Sequence, residues 1–243
     1  EAGATLDVQN MTGYTALNYA CKHGHLECTR MLLAARANAD LADESNVTRL
    51  LNACRSASEA HQLCVKELLV NGATVDAAEK DGWTPLMIAV QDNNDMCARA
   101  LLKAGAVVDA AQEAGATALM MAVQNGHDLC ARALLENHVA VDAQNKEGWT
   151  ALMYSAQNGH DLCARDLLEN GAAVDATILT LARQCGHADI VQELLQAIKR
   201  RKKRKKKKNK KKKNASEEDV EEVEVREVEE EEDVEEVEVE EVE

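Results

Sequence analysis

Aromatic residues are scarce in this 243-residue chain, which has two tryptophans, three tyrosines and no phenylalanine. Its core must therefore be built from leucine, alanine, valine, methionine and cysteine, and that composition suits small, regularly stacked helices. No run of about 18 apolar residues and no signal-peptide pattern occurs. These absences exclude a predicted transmembrane segment and favour an intracellular, reducing location, nuclear or otherwise cytoplasmic.

Sequence motifs of common enzyme classes are missing as well. The chain has no glycine-rich phosphate-binding loop, no candidate pair of catalytic carboxylates and no kinase signature. A Cys–His enzyme needs one exposed thiolate beside its base, whereas most cysteines here recur at equivalent positions. Cys185 departs from that pattern and is predicted to face outward. We therefore predict no catalytic residues, no cofactor and no enzymatic activity.

What the sequence does contain is an internal repeat. GWTPLMIAVQDNNDMCARALLKAGAVVDA begins at Gly82, GATALMMAVQNGHDLCARALLENHVAVDA at Gly115 and GWTALMYSAQNGHDLCARDLLENGAAVDA at Gly148, each 33 residues after the last. In each unit a capping threonine precedes a short apolar helix, a turn and a second amphipathic helix that a glycine can end. A repeat of this length predicts a stacked array whose units bury their apolar faces against each other.

These units resemble ankyrin repeats, whose T-P-L-H-x-A, G-H, Leu-Leu and G-A elements can be followed through most of them. The resemblance implies an all-α solenoid of stacked helix–turn–helix repeats joined by hairpin-like loops, and a role in protein–protein recognition. The family's first-helix histidine is missing in every unit, so we expect only moderate stability. Its place is taken by Asn18, Leu51, Met87, Met120, Met153 and Thr180.

The predicted repeat domain covers residues 10–198, with units at about 10–42, 43–78, 79–111, 112–144, 145–176 and 177–198. Residues 1–9 match the tail end of a preceding repeat, and since the first residue is Glu1 we expect a fragment of a longer protein. Unit two has three extra residues within 55–60. Unit six starts only 27 residues after Thr150, at Thr177. Arg36, Asn46 and His138 stand where glycine is usual.

Cysteines recur at one position of the second helix, and we expect them to be buried thiols. Stacked helices lie about 8–10 Å apart, beyond the roughly 7 Å between Cα atoms that a disulfide spans. A metal site is suggested by Cys21, His23, His25 and Cys28, but two of these four residues recur in later units as repeat positions, so no metal is predicted. The recurring cysteines are Cys28, Cys64, Cys97, Cys130 and Cys163.

Two charged segments follow the repeats. Residues 199–213 are a polybasic segment with fourteen basic residues, and residues 214–243 form a Glu/Val low-complexity tail that we expect to be disordered. The basic tract resembles a nuclear localisation signal that binds an import receptor. Nonspecific nucleic acid, anionic lipid and masking by the acidic tail are the alternatives. The tract begins with Lys199, Arg200, Arg201, Lys202, Lys203 and Arg204.

In the resembled family the concave side carries the binding residues, at the hairpin tips and at the end of each first helix. Exposed tryptophan and tyrosine among mixed charges are typical of interface hot spots. The alternative is that each indole lies on its own hairpin and packs against the next loop. The candidates are Tyr14, Lys22, His23, Arg55, Lys80, Asp81, Trp83, Gln91, Asp92, Gln124, Asn125, Lys146, Glu147, Trp149, Gln157 and Asn158.

We therefore expect a protein–protein interaction module or scaffold that binds an unidentified partner protein. Residues 1–198 carry 25 acidic and 13 basic side chains, a net charge of −12, so the repeats themselves should not bind nucleic acid. One alternative is a nuclear protein that binds nucleic acid through its basic tract while the repeats recruit partners. Another is the substrate-recruiting arm of a larger enzyme.

Overall fold

The computed structural model describes residues 5–204 and 206–207, and divides the chain into a first unit, Glu1–Leu194, and a second, Leu195–Glu243. The first contains eleven named helices and a further helical segment at residues 188–194; in the second, the described residues 195–204 and 206–207 are helical. The predicted acidic tail and residues 208–213 lie outside the described residues. The helices are α1 (Ala16–Lys22), α2 (Leu26–Ala34), α3 (Arg49–Cys54), α4 (Glu59–Val70), α5 (Pro85–Gln91), α6 (Asp95–Lys103), α7 (Ala118–Gln124), α8 (Asp128–Leu135), α9 (Ala151–Asn158), α10 (Asp161–Glu169) and α11 (Ala176–Gln184).

Capping side chains fix where the first helix of each pair begins. A threonine hydroxyl accepts a hydrogen bond from the backbone N–H three residues later, satisfying one of the unpaired donors of the first turn. The predicted caps Thr84, Thr117 and Thr150 are among them. The first helix of unit six, α11, begins earlier than expected. Its first residue is Ala176, and its cap is Asp175 and not Thr177.

Helices pack in two rows, and the two rows are buried to different extents. The first helices α1, α3, α5, α7, α9 and α11 contact one another in order, as do the second helices α2, α4, α6, α8 and α10. In α5 every residue from Pro85 to Val90 is buried, whereas α6 buries only Cys97, Ala98 and Leu101. A short first helix such as α5 is covered by its neighbours, so little of its surface is exposed to water. The first helices therefore form the core, and the second helices cover it.

Non-glycine residues take the left-handed backbone conformation where the repeat pattern predicts it. Arg36 has φ 70°, Asn46 has φ 64° and His138 has φ 58°. These conformations cost an L-residue about 1–2 kcal/mol. The units accept that cost because the backbone must reverse direction at these points.

Imidazole side chains at the start of the second helix of a pair join neighbouring units. In these bonds a ring nitrogen donates to a carbonyl near the end of the previous first helix: His61 to Lys22, His127 to Val90, His160 to Gln124 and His187 to Gln157, at 2.8–3.2 Å. In unit three Asn94 replaces the histidine and donates to the carbonyl of Ser56 at 2.8 Å, within the insertion.

Aspartates at the end of each unit make a second series of bonds. Asp40 accepts from the backbone N–H of Thr74 at 2.7 Å, Asp76 from Val107 at 3.0 Å and Asp109 from Ala140 at 2.8 Å. Asp7 accepts in the same way from Asn38 at 3.1 Å. Residues near the start of the described chain therefore adopt the conformation of a repeat tail.

Cysteines follow the repeat with one exception. All eight are free thiols, and Cys64, Cys97, Cys130 and Cys163 are buried as predicted. The prediction for Cys28 is wrong, because it is exposed. In later units the thiol lies against the preceding second helix, as Cys163 does in donating to Asp128 at 3.0 Å. No described helix pair precedes α1 and α2, so Cys28 has nothing to pack against. The outward prediction for Cys185 is confirmed.

Candidate partner-binding face

Hairpin loops form one edge of the candidate face. They comprise residues 10–14, 43–47, 79–83, 112–116 and 145–149, and in each the first N–H donates to the carbonyl of the fifth residue at 2.9–3.2 Å. The fourth residue has positive φ, which explains its recurring glycine and Asn46 in unit two. The last residue of three of these hairpins is Tyr14, Trp83 or Trp149, so the turn places an aromatic side chain beside each first helix.

Neighbouring hairpins lie against each other until the fifth. Glu113 donates its backbone N–H to the carbonyl of Asp81 at 3.1 Å, and Lys146 donates to Ala114 at 3.0 Å. A Cβ on Gly82 would lie 3.2 Å from Gln112, and one on Gly115 would lie 2.9 Å from Lys146. At Gly148 no described atom lies within 4 Å of such a Cβ. The fifth hairpin is therefore open on the side that the others cover.

The sixteen candidate residues fall into two groups by exposure. Thirteen are exposed, and the three aromatic residues Tyr14, Trp83 and Trp149 are half-buried. Each lies on a hairpin, near the end of a first helix or, for Arg55, at the cap of α3. The exposed residues are Lys22, His23, Arg55, Lys80, Asp81, Gln91, Asp92, Gln124, Asn125, Lys146, Glu147, Gln157 and Asn158.

In unit one the candidate residues belong to a chain of rings. The rings of Tyr14 and Tyr19 are 5.6 Å apart, Tyr19 stacks on His23 at 6.4 Å, and the rings of His23 and His25 are 6.0 Å apart. The ammonium of Lys22 lies 5.2 Å from the centre of the Tyr14 ring, within cation–π range. This end of the face combines aromatic surface with positive charge.

Charged residues from units two and three meet beside the insertion. Arg55 forms an ion pair with Glu79 of the next hairpin. Desolvation raises the pKa of Asp92, and the positive charges of Arg55 and His127 act in the opposite direction. Arg55, at the start of the stretch that contains the insertion, therefore interacts with the carboxylates of both Glu79 and Asp92.

Amide side chains continue the face through units three to five. Gln91, Gln124 and Gln157 recur every 33 residues at the end of the first helices. Asn125 donates to the side chain of Gln91 at 3.2 Å, and Asn158 donates to the backbone carbonyl of Gln124 at 2.8 Å. The asparagines therefore connect the units, while the side chains of Gln124 and Gln157 have no hydrogen-bond partner among the described residues.

The two tryptophans, which occupy the same position of the repeat, have different surroundings. Trp83 packs against the buried core, and the next hairpin (residues 112–116) packs against the hairpin that carries Trp83. Trp149 lies 5.1 Å from the ring of Tyr154, measured between ring centres, and the Tyr154 hydroxyl accepts from Asn145 at 3.0 Å. Burial raises the pKa of Tyr154, and the Glu147 carboxylate raises it further. Whether the indole binds a partner or only packs against the next loop must therefore be tested separately for Trp83 and for Trp149.

A pocket of about 530 Å³ opens beside Trp149. It lies between the fifth hairpin, α9 and α11, at the place where the other units have a further hairpin. Its walls are Glu147, Gly148, Trp149, Met153, Ala176, Thr177, Thr180, Leu181 and Gln184.

Comparison with known proteins identifies the family. A family model described as ankyrin repeats (3 copies) matches residues 2–76, 55–145 and 130–209. The chain belongs to the ankyrin-repeat family. The ankyrin repeat domain of human ASB11, known from a crystal structure, is 30% identical with a TM-score of 0.67, over 76% of this chain and 84% of that one. The predicted all-α solenoid is thereby confirmed.

Curated relatives of this ankyrin-repeat chain match over shorter stretches. A probable E3 ubiquitin-protein ligase XBOS33 of Oryza sativa subsp. japonica is 51% identical over 43 residues, which is 18% of this chain and 8% of that protein. An ankyrin repeat, SAM and basic leucine zipper domain-containing protein 1 of Ovis aries is 32% identical over 96 residues, 39% of this chain and 20% of that protein. The chain therefore matches a fifth or less of the length of these relatives.

The ankyrin fold indicates a protein–protein interaction module in general terms. No described helix is long and apolar enough to cross a membrane. Across the described residues, His, Cys, Asp and Glu side chains form no group of three that could hold a metal ion. Cys21, His23, His25 and Cys28 of unit one therefore do not form such a group.

Sequence reasoning missed residues that contact the candidate residues of the ankyrin face or the caps of the first helices. Tyr19 and Tyr154 each accept a hydrogen bond from an asparagine nine residues earlier, Asn10 at 3.2 Å and Asn145 at 3.0 Å. The recurring Asn–Tyr separation was a signal available in the sequence. The buried Arg49, which donates to the hydroxyl of Thr15 at 3.0 Å and to the carbonyl of Leu41, had no such signal because no other unit has an arginine there.

Proposed function

We propose that this chain is a scaffold or adaptor module that binds a partner protein through the concave ankyrin face. The observation that carries the proposal is the continuous row of exposed groups along that face. It runs from the rings of unit one, past Arg55, to the glutamines Gln91, Gln124 and Gln157. Interfaces of moderate affinity are typically mixed in this way, with polar groups around a few aromatic anchors.

Amide groups along the row suit an extended polypeptide. Gln124 and Gln157 offer a donor and an acceptor each, and their spacing follows the stacking of the units. A partner segment lying across several units would find one amide per unit and an aromatic side chain near each end. Affinity would then grow with the number of units contacted, as expected for a repeat array.

A pair of matched triple variants tests this proposal in the full chain. The first changes the face, with Gln91→Arg, Gln124→Arg and Gln157→Arg. The control changes Met96, Leu129 and Leu162 to arginine; these residues recur in the same three units, are 46%, 54% and 44% exposed, and belong to the second helices. Both variants are compared with the wild-type chain in affinity capture from cell lysate, after circular dichroism has established that they are folded.

The face variant should lose the proteins that the wild-type chain captures, by at least about tenfold, while the control retains them. If the control loses them and the face variant retains them, binding takes place on the second helices and the proposal is wrong. If neither variant changes capture, the row of glutamines does not carry the binding and the proposal is wrong.

The basic tract supports a second candidate, nuclear import or nonspecific nucleic-acid binding. Lys202, Lys203 and Arg204 are exposed at successive positions of the second unit, and that unit is helical where described. A salt titration against an arbitrary DNA duplex separates the two roles. Binding through phosphate contacts should weaken steeply with salt. Binding to an import receptor, measured with the purified receptor, would remain when DNA binding is absent.

A further inference from the structure

The last repeat lacks a hairpin, and its absence leaves a pocket. Thr84, Thr117 and Thr150 follow one another at 33-residue intervals, yet α11 begins at Ala176, directly after its capping residue Asp175. Residues 170–175 are too few to form both the end of α10 and a hairpin. The fifth hairpin therefore keeps one side open, as the empty space around Gly148 shows.

The floor of this pocket is apolar and its rim is rich in hydrogen-bond acceptors. The half-buried side chains of Trp149, Met153 and Leu181 line it, and the Glu147 carboxylate lies at the edge. Glu147 forms no ion pair with any described residue. The Thr180 hydroxyl donates to the carbonyl of Ala176 at 2.8 Å, so its oxygen lone pairs are available to accept.

Such a site is complementary to a cation that carries several donors. A carboxylate, a hydroxyl oxygen and the amide oxygen of Gln184 are acceptors, and the indole face of Trp149 attracts positive charge. The net charge of −12 on residues 1–198 favours a basic ligand as well. The volume of about 530 Å³ is sufficient for one long side chain and its flanking backbone.

We propose that this pocket binds an arginine side chain presented by the partner protein. The inference rests on the function proposed above and names one anchor of that interaction. The planar guanidinium stacks on Trp149 and forms hydrogen bonds with Glu147, while its methylene stem covers Met153 and Leu181. Lysine has the charge but neither the planar group nor the forked donors, so it binds less tightly.

The experiment selects random dodecapeptides displayed on phage against the immobilised full chain. Enriched peptides are then synthesised with arginine and with citrulline, its neutral near-isostere. Binding is followed by the fluorescence of a Trp83→Phe variant, in which Trp149 is the remaining tryptophan. Two further variants test the pocket itself: Glu147→Gln removes the carboxylate charge, and Thr180→Phe fills the space from an exposed helix position without adding a second tryptophan.

The proposal expects enriched peptides to share an arginine, and both citrulline and Glu147→Gln to weaken binding roughly tenfold or more. Thr180→Phe should abolish the fluorescence change; if that variant fails to fold, Glu147→Gln and citrulline still decide. The contrary result is a set of peptides that bind Glu147→Gln and Thr180→Phe as tightly as the unchanged pocket, yet lose binding to the variant in which Gln91, Gln124 and Gln157 are replaced by arginine. That result would overturn the arginine pocket and leave the proposed function standing. A failure to enrich any peptide would contradict the arginine pocket, and the capture experiment described above still decides the proposed function.

Discussion

Gly126→Ala tests how the turns hold neighbouring units together. Gly126 has φ +70°, a conformation that costs alanine roughly 1–2 kcal/mol. The added Cβ would also lie 2.6 Å from Nδ1 and Cε1 of His160, so the imidazole must turn away. The ring then loses its hydrogen bond to the carbonyl of Gln124, a loss of about 1 kcal/mol. That carbonyl keeps the amide of Asn158, which limits the loss.

The total cost of Gly126→Ala in the wild-type chain should therefore be about 2–3 kcal/mol of unfolding free energy. In a His160→Ala background the Cβ meets no ring, and only the conformational cost should remain. The coupling energy between the two substitutions is then about 1 kcal/mol.

Urea denaturation followed by circular dichroism at 222 nm, with all four members of the cycle, measures this coupling. Gly186→Ala is the matched control, since Gly186 has φ +79° at the same position of the last repeat and nothing within 4 Å of its Cβ. It should cost only the conformational part. Additivity of Gly126→Ala and His160→Ala within about 0.5 kcal/mol would refute the steric argument.

Three further predictions concern the buried groups. In the native protein at about pH 8, only the exposed Cys28 and Cys185 should react rapidly with a thiol reagent, and the six buried thiols should react after unfolding; a third fast thiol would contradict the described burial. Burial raises the pKa of Cys97 to about 11 and that of Cys130 to about 12, from 9.0. Above pH 9.0 the folded state therefore keeps thiol protons that the unfolded state releases. The stability that these thiols contribute should be fully present below pH 9.0 and be lost as the pH rises towards 12, by up to about 1.4 kcal/mol per pH unit and thiol. Cys130→Ala should make that fall shallower, and an unchanged slope in urea titrations at several pH values would oppose this cause. Asn94→Ala should cost about 1–3 kcal/mol, because the amide both caps α6 and donates to Ser56. Asn94→Asp keeps the cap but loses the donor to Ser56, so it should lose less; equal losses would mean that the cap of α6 contributes nothing.

The local structure of the repeats could be predicted because it depends on neighbours in sequence. A capping threonine, a left-handed turn residue and a row of apolar positions each act within a few residues. That is why the threonine caps and the positive φ of Arg36, Asn46 and His138 are confirmed. The cap of α11 was missed because Asp175 also ends the preceding unit, and either role fitted the pattern.

The site was less predictable because it depends on what lies in the adjacent unit. Trp83 and Trp149 occupy the same position of the repeat, yet Trp83 packs against the core, whereas Trp149 lies beside Tyr154 and the pocket left by the missing hairpin. The spacing of 27 residues between Thr150 and Thr177 already indicated a shorter loop. That the missing residues would leave a pocket beside Trp149 could not be inferred without knowing how the units stack. Cys28 shows the same dependence, since its exposure follows from having no described helix pair before it.

A photo-crosslinking amino acid placed on each side of one unit tests the central claim most directly. It replaces Gln124 on the proposed face or the 54%-exposed Leu129 on the following second helix, in otherwise unchanged full chains. After irradiation in cells, the account predicts covalent adducts with a partner protein from position 124 and not from position 129. Adducts from position 129 alone would contradict the claim that this chain binds its partner through the face of hairpins and first helices.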